Sequence, residues 1–195
     1  NARAIAEHLC PVMFGNIYDY SAGYGGRLLG ITASNMRYNY TGIDPNTETI
    51  KYLNYLNTLV DNPGAIVQNV SEDYQPEDID LAFSSPPYFN LEKYSDEDTQ
   101  CMVRYRTLDE WFSGYVEPTM ENIYRGLNKQ GLFATNIADY KSYDRKEPYE
   151  VCERWIQTAE KVGFRFNGMI KMMLNTRPGV GNDKLAGREK FEGVY

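Results

Sequence analysis

Histidine is almost missing from this chain, and cysteine is scarce. The single histidine, His8, leaves little room for imidazole catalysis, and Cys10, Cys101 and Cys152 are odd in number and far apart. Such spacing excludes a disulfide framework and a zinc site. No metal is therefore expected, and the expected setting is a reducing cytoplasm. No apolar run approaches the roughly 18 residues that cross a bilayer, so no membrane association is expected either. The opening Asn1-Ala2-Arg3-Ala4-Ile5-Ala6 carries no leader pattern, and Glu192-Gly193-Val194-Tyr195 reads as a strand cut short. The chain is read as trimmed at both ends.

What is present is an ordinary globular composition. The chain has 195 residues, 42% hydrophobic and 24% charged, which suits one domain around one core. The net charge of −7 is unevenly spread: residues 1–140 hold 9 Lys and Arg against 19 Asp and Glu, and residues 141–195 hold 11 against 8. The basic C-terminal part, with Arg177, Lys184, Arg188 and Lys190, reads equally as a phosphate-facing surface or as an ordinary solvated face. The 17 Tyr, 8 Phe and 2 Trp supply rings on which bases stack, though most are expected in the core.

Strand and helix alternate along the chain. Helices are read at Ala2–Leu9, Arg27–Asn35 and Thr47–Leu59, from the capping box Thr107-Leu108-Asp109-Glu110 to about Asn128, and at Tyr149–Val162. Strands are read at Asn16–Tyr20, Tyr38–Ile43, Ala65–Val70, Ile79–Ser84, Leu132–Ile137 and Phe164–Met173, with a seventh beginning at Phe191. Phe89–Arg106 is polar, charged and without period, and reads as a long loop of the kind that usually carries function. The alternation predicts an α/β fold, a mainly parallel sheet with helices on both faces. No helix separates the last two strands, so they are expected as antiparallel neighbours.

The glycine-rich turn Ser21-Ala22-Gly23-Tyr24-Gly25-Gly26 follows the first strand and opens a helix. Glycines there let a ligand approach the backbone. Asp44 closes the next strand, 21 residues after Gly23, where a carboxylate can accept hydrogen bonds from ribose hydroxyls. Neither the dinucleotide pattern G-x-G-x-x-G nor a phosphate-grasping G-K-S/T occurs. A ligand with a ribose but no phosphate fits better.

Ser85-Pro86-Pro87-Tyr88 follows the apolar strand Ile79–Ser84. Two prolines fix φ and remove two donors, and the first pushes Ser85 out of the helical region. A rigid segment results whose carbonyls do not enter a ladder. The exocyclic amine of a base is a weak nucleophile, because its lone pair is delocalised into the ring. The Ser85 hydroxyl and the Pro86 carbonyl can accept from that amine and localise the lone pair, while Tyr88 stacks on the base. Positioning and electrostatics then carry the rate.

Together these segments resemble the amino-methyltransferase family of DNA methylases. Asp19-Tyr20-Ser21-Ala22-Gly23-Tyr24-Gly25 is similar to that family's cofactor motif, usually D-P-F-x-G-x-G, with Ser21 in place of the aromatic. Ser85-Pro86-Pro87-Tyr88 is similar to its catalytic D/N/S-P-P-Y/F/W motif, and Trp111…Arg125-Gly126-Leu127-Asn128-Lys129-Gln130-Gly131-Leu132 to its W…R-x-L-x-x-G-G helix and strand. The resemblance covers about residues 15–140. It implies a Rossmann-like class I methyltransferase fold, a seven-stranded sheet with an antiparallel last strand. It implies S-adenosyl-L-methionine as cofactor, held by Asp19, Tyr20, Ser21, Ala22, Gly23, Gly25, Asp44 and Pro45. Asp73, in the loop after the third strand, either reaches the adenine ring or is an ordinary surface acid, the second reading being favoured. Tyr20 or Phe89 would supply the stacking that Ser21 cannot, and Arg27 would either pair with the cofactor's carboxylate or stay solvated.

The substrate so implied is DNA, in a restriction-modification setting. The serine form of the catalytic motif favours N4 of cytosine over N6 of adenine, although that form typically precedes the cofactor motif and here follows it. No segment is long enough for a separate recognition domain, so recognition falls to Phe89–Arg106, to Asn175–Arg188, or to an additional domain or subunit. The alternatives are methylation of RNA or of a protein amide, and a non-catalytic subunit that keeps the fold.

Overall fold

The computed structural model describes residues 1–91, 93–141, 147–173 and 191–194. Strands β1 (Asn16–Asp19), β2 (Asn39–Asp44), β3 (Ala65–Gln68), β4 (Ile79–Ser84) and β5 (Leu127–Ile137) form a parallel sheet in the order β3-β2-β1-β4-β5. Beyond β5 the order continues with β7 (Phe191–Val194) and then β6 (Ile170–Met173), and β7 runs antiparallel to both neighbours.

Side chains alternate between the two faces of this sheet. Ile17, Tyr40, Leu81 and Phe83 point to one face and pack with Ile5 of α1 (Ala2–Leu9), Leu28 of α2 (Gly26–Thr32) and Leu53 of α3 (Thr47–Asn57). Tyr18, Tyr20, Ile43 and Ala82 point to the other and pack with Ile123 of α6 (Glu117–Gly126). A further aromatic cluster holds Trp111, Phe112 and Tyr115 against Trp155 of α7 (Val151–Val162). The Asn46 side chain starts α3 by accepting from Thr49 N at 2.8 Å.

The structure departs from the sequence reading in four places. The capping box at Thr107 starts α5 (Leu108–Trp111), but a π-helical turn, Phe112–Val116, separates it from α6. Such turns often mark functional positions, and this one carries Tyr115. The stretch 89–106 contains a short helix, α4 (Cys101–Arg104), whose N-cap is Gln100. Strand β5 begins at Leu127 rather than Leu132 and runs through Gly131, where a Cβ would meet Ile79 O at 2.8 Å. Strand β6 begins only at Ile170: Phe164 turns inward onto Phe133 and Tyr124, and Gly168 sits at φ 142°. The segment Asn175–Arg188, with Arg177, Lys184 and Arg188, lies outside the described residues, as does Lys190. No helix among the described residues is long and apolar enough to cross a membrane.

Candidate active site

The carboxyl ends of β1, β2 and β4 meet around Asp19, which is fully buried. Its two oxygens accept from Ser84 Oγ at 2.6 Å, Tyr40 Oη at 2.8 Å and Arg27 Nε at 2.8 Å. Arg27 also donates to the Ser21 carbonyl. One acid thus ties β1, β2, β4 and α2 together beneath the glycine-rich turn. Asp19 and Arg27 satisfy each other there, so Arg27 is neither a solvated helix residue nor a free cation.

Above this hub the turn needs its glycines for two different reasons. Gly25 has φ 79°, and a Cβ there would meet Leu56 Cδ1 at 2.7 Å. Gly23 has φ 54°, but its Cβ direction meets only Ser21 O, at 3.8 Å, so the space beside it is open. The Gly23 N–H donates to Asp44 Oδ2 at 3.0 Å, and Asn46 N donates to the other oxygen at 3.0 Å. Burial pushes the Asp44 carboxyl above its ordinary value, against the two backbone N–H groups that favour its charge.

A cavity of about 410 Å³ opens beside the turn. It joins Ser21, Ala22, Gly23, Asp44 and Pro45 to Ser85 and Pro87, so the two sequence motifs share one space. Among its described lining residues Arg27 is the only cation, and it is already engaged. That wall suits a ligand with hydroxyls and a base rather than one with phosphates.

Other expected site residues stand elsewhere. Tyr20 is 1% exposed, its hydroxyl 2.7 Å from Thr135 Oγ1, and Phe89 is 6% exposed against Tyr149. Neither ring is free to stack on a ligand, because strand parity turns Tyr20 into the core and the aromatic cluster takes Phe89. Asp73 is exposed and outside the lining; the preceding residue, Glu72, faces the cavity instead. Pro86 is buried behind the wall. Tyr88 packs edge-on against Tyr140 at 4.9 Å, and its hydroxyl accepts from Ala138 N at 3.0 Å.

Several lining residues carried no sequence signal. Tyr94, Ser95, Thr99, Gln100, Cys101 and Tyr105, all from the stretch read as a loop, form one wall. That stretch is fastened at two points. The Glu97 carboxylate accepts from Thr47 N at 3.2 Å, at the start of α3. Arg104 Nη1 lies 2.8 Å from Glu72 Oε1, to which Tyr105 Oη donates at 2.6 Å. Tyr115, placed by the π-helical turn, brings its hydroxyl within 3.2 Å of Ser21 Oγ. Burial pushes the Cys101 thiol up to about 12.

Solved structures with a similar fold include the cyclase SpnF (TM-score 0.63, 12% identity, 87% of this chain and 58% of that one). A methyltransferase from Pyrococcus furiosus matches with TM-score 0.61 and 12% identity over 99% of this chain and 79% of that one. A TehB-like SAM-dependent methyltransferase from Corynebacterium glutamicum matches with TM-score 0.55 and 18% identity, over 99% of this chain and 85% of that one. The fold is the one these proteins share. The chain thus spans little more than half the length of SpnF. No family model and no curated protein matches the chain.

Proposed function

We propose that this chain transfers a methyl group from S-adenosyl-L-methionine to the exocyclic amine of a DNA base, N4 of cytosine in preference to N6 of adenine. The observation that carries the reading is the single cavity that runs from Asp44 to Ser85. When bound, S-adenosyl-L-methionine supplies an electrophilic sulfonium methyl. The chain supplies the rest. Asp44 accepts from the ribose hydroxyls, Ser21, Ala22, Gly23 and Pro45 line the approach, and Gly25 holds the turn's shape. The carboxylate at the end of β2 and the proline segment at the end of β4 are two strands apart in the order β2-β1-β4. A nucleoside held at the first therefore extends its far end toward the second.

Ser85, in the cavity wall, accepts from the target amine and localises its lone pair toward the methyl, and the buried Pro86 holds the segment rigid behind it. Tyr88, braced by Ala138 N and Tyr140, stiffens the segment from outside the cavity. Cys101 in the wall is no nucleophile, because its thiol stays protonated at neutral pH. Direct attack by nitrogen suits such a wall better than covalent attack on a ring carbon. The names of two of the three structural relatives, both methyltransferases, support the reaction class. The motif resemblance supports DNA as the substrate, with recognition completed by an additional domain or subunit.

The reading is tested with methyl-labelled cofactor and three acceptors: mixed-sequence DNA, RNA and a peptide library. Label in DNA is the expected result. Label only in RNA or peptide, or cofactor binding with no transfer, replaces it with one of the rival readings.

A further inference from the structure

Gln100 is 5% exposed and half satisfied. Its Oε1 accepts from Met102 N, and from Val103 N at 3.2 Å, capping α4 and fixing which end of the amide faces which way. The other end, Nε2, is buried with no hydrogen-bond partner, and the residue lines the cavity. A buried donor left unpaired costs free energy, and native proteins satisfy nearly all of theirs. In a residue that lines a cavity, a small turn of the amide is enough to offer such a donor to a ligand.

The place of Gln100 says which part of a ligand it meets. Its segment is pinned on one side by Glu97 at Thr47, just past β2, and on the other by Arg104 and Tyr105 at Glu72, just past β3. Gln100 therefore stands over the β3–β2 side of the cavity. Ser85 stands at the end of β4, on the opposite side in the order β3-β2-β1-β4. A methyl donor with its sulfonium toward Ser85 and its ribose at Asp44 has its base on the Gln100 side. The exposed parts of that base's rim include ring nitrogens, which are acceptors matched to an amide N–H.

We infer that Gln100 donates from Nε2 to a ring nitrogen of the cofactor's adenine and thereby selects a purine at that end of the cavity. This rests on the proposed reading of the cavity as the S-adenosyl-L-methionine site. Gln100 takes no part in the chemistry of transfer.

The test is calorimetry with S-adenosylhomocysteine and its 1-deaza, 3-deaza and 7-deaza analogues, on the native chain and on Gln100→Glu. That substitution keeps the oxygen that caps α4 and removes the amide donor. One analogue is expected to bind the native chain roughly tenfold more weakly than the parent, the size of one lost hydrogen bond. In Gln100→Glu that difference disappears. Equal binding of all four ligands to the native chain overturns the inference, without recourse to a variant. So does a deaza penalty that persists undiminished in Gln100→Glu. If S-adenosylhomocysteine itself fails to bind the native chain, the cofactor reading falls as well, so the two failures are told apart.

Discussion

The Asp44 carboxylate accepts the Gly23 N–H at 3.0 Å, fastening the acid that ends β2 to the glycine turn that follows β1. A group that shapes the turn and also faces the cavity acts on affinity in two ways. Asp44→Ala is expected to weaken S-adenosylhomocysteine binding by about 1–3 kcal/mol, from lost charge-assisted hydrogen bonds. Calorimetry with unchanged affinity would remove Asp44 from the site.

The same residue sets a pH dependence. Burial raises the Asp44 carboxyl above its ordinary value, so it takes up its proton at a higher pH than an exposed aspartate does. Only the ionised form accepts from both ribose hydroxyls. Affinity is therefore full at neutral pH and declines on acidification, beginning above the ordinary aspartate range. In Asp44→Asn that decline should vanish. A native affinity that stays flat through mildly acidic pH contradicts the assignment.

The turn, Asp44 and the place of Ser85 at the cavity were legible because each depends on local chemistry: positive φ, a strand-ending acid, two fixed prolines. What neighbours do with a side chain was not. Tyr20 belongs to the cofactor motif by position, yet its side of the strand sends it to Thr135. Asp73 and Glu72 are adjacent acids, and only the packing of the stretch 89–106 decides that Glu72 faces inward. That stretch has no period, because its residues are chosen to cap α4, to pair with Glu72 and to line a cavity. The alternation of elements revealed the parallel sheet, whereas the π-helical turn that delivers Tyr115 left no trace within a continuous helical pattern.

Tyr20→Phe separates core from site. Removing the hydroxyl leaves Thr135 Oγ1 without its partner at 2.7 Å and should cost about 1 kcal/mol of stability in urea unfolding. Cofactor affinity should not change. A loss of affinity with no loss of stability would return Tyr20 to the cavity wall.

Arg104 and Glu72 form a pair whose acid is only 6% exposed, and burial raises the Glu72 carboxyl above its ordinary value. Arg104→Met should destabilise the chain by about 1–3 kcal/mol, since the buried carboxylate loses its cation. Adding Glu72→Gln should recover part of that loss, because it removes the charge left behind. A double variant less stable than Arg104→Met alone would contradict this.

The chemistry at Ser85 is tested most directly by nucleoside mass spectrometry of methylated DNA, run beside Ser85→Ala. The Ser85→Ala variant should lose turnover on the order of a hundredfold, as when one positioned hydrogen-bonding group is removed from a reaction centre, while cofactor affinity holds. The native product should be an N-methylated amino base, N4-methylcytosine first and N6-methyladenine second. The thiol of Cys101, held up at about 12, offers no route to ring carbon 5. Finding 5-methylcytosine, or an unchanged product yield from Ser85→Ala, would contradict the account.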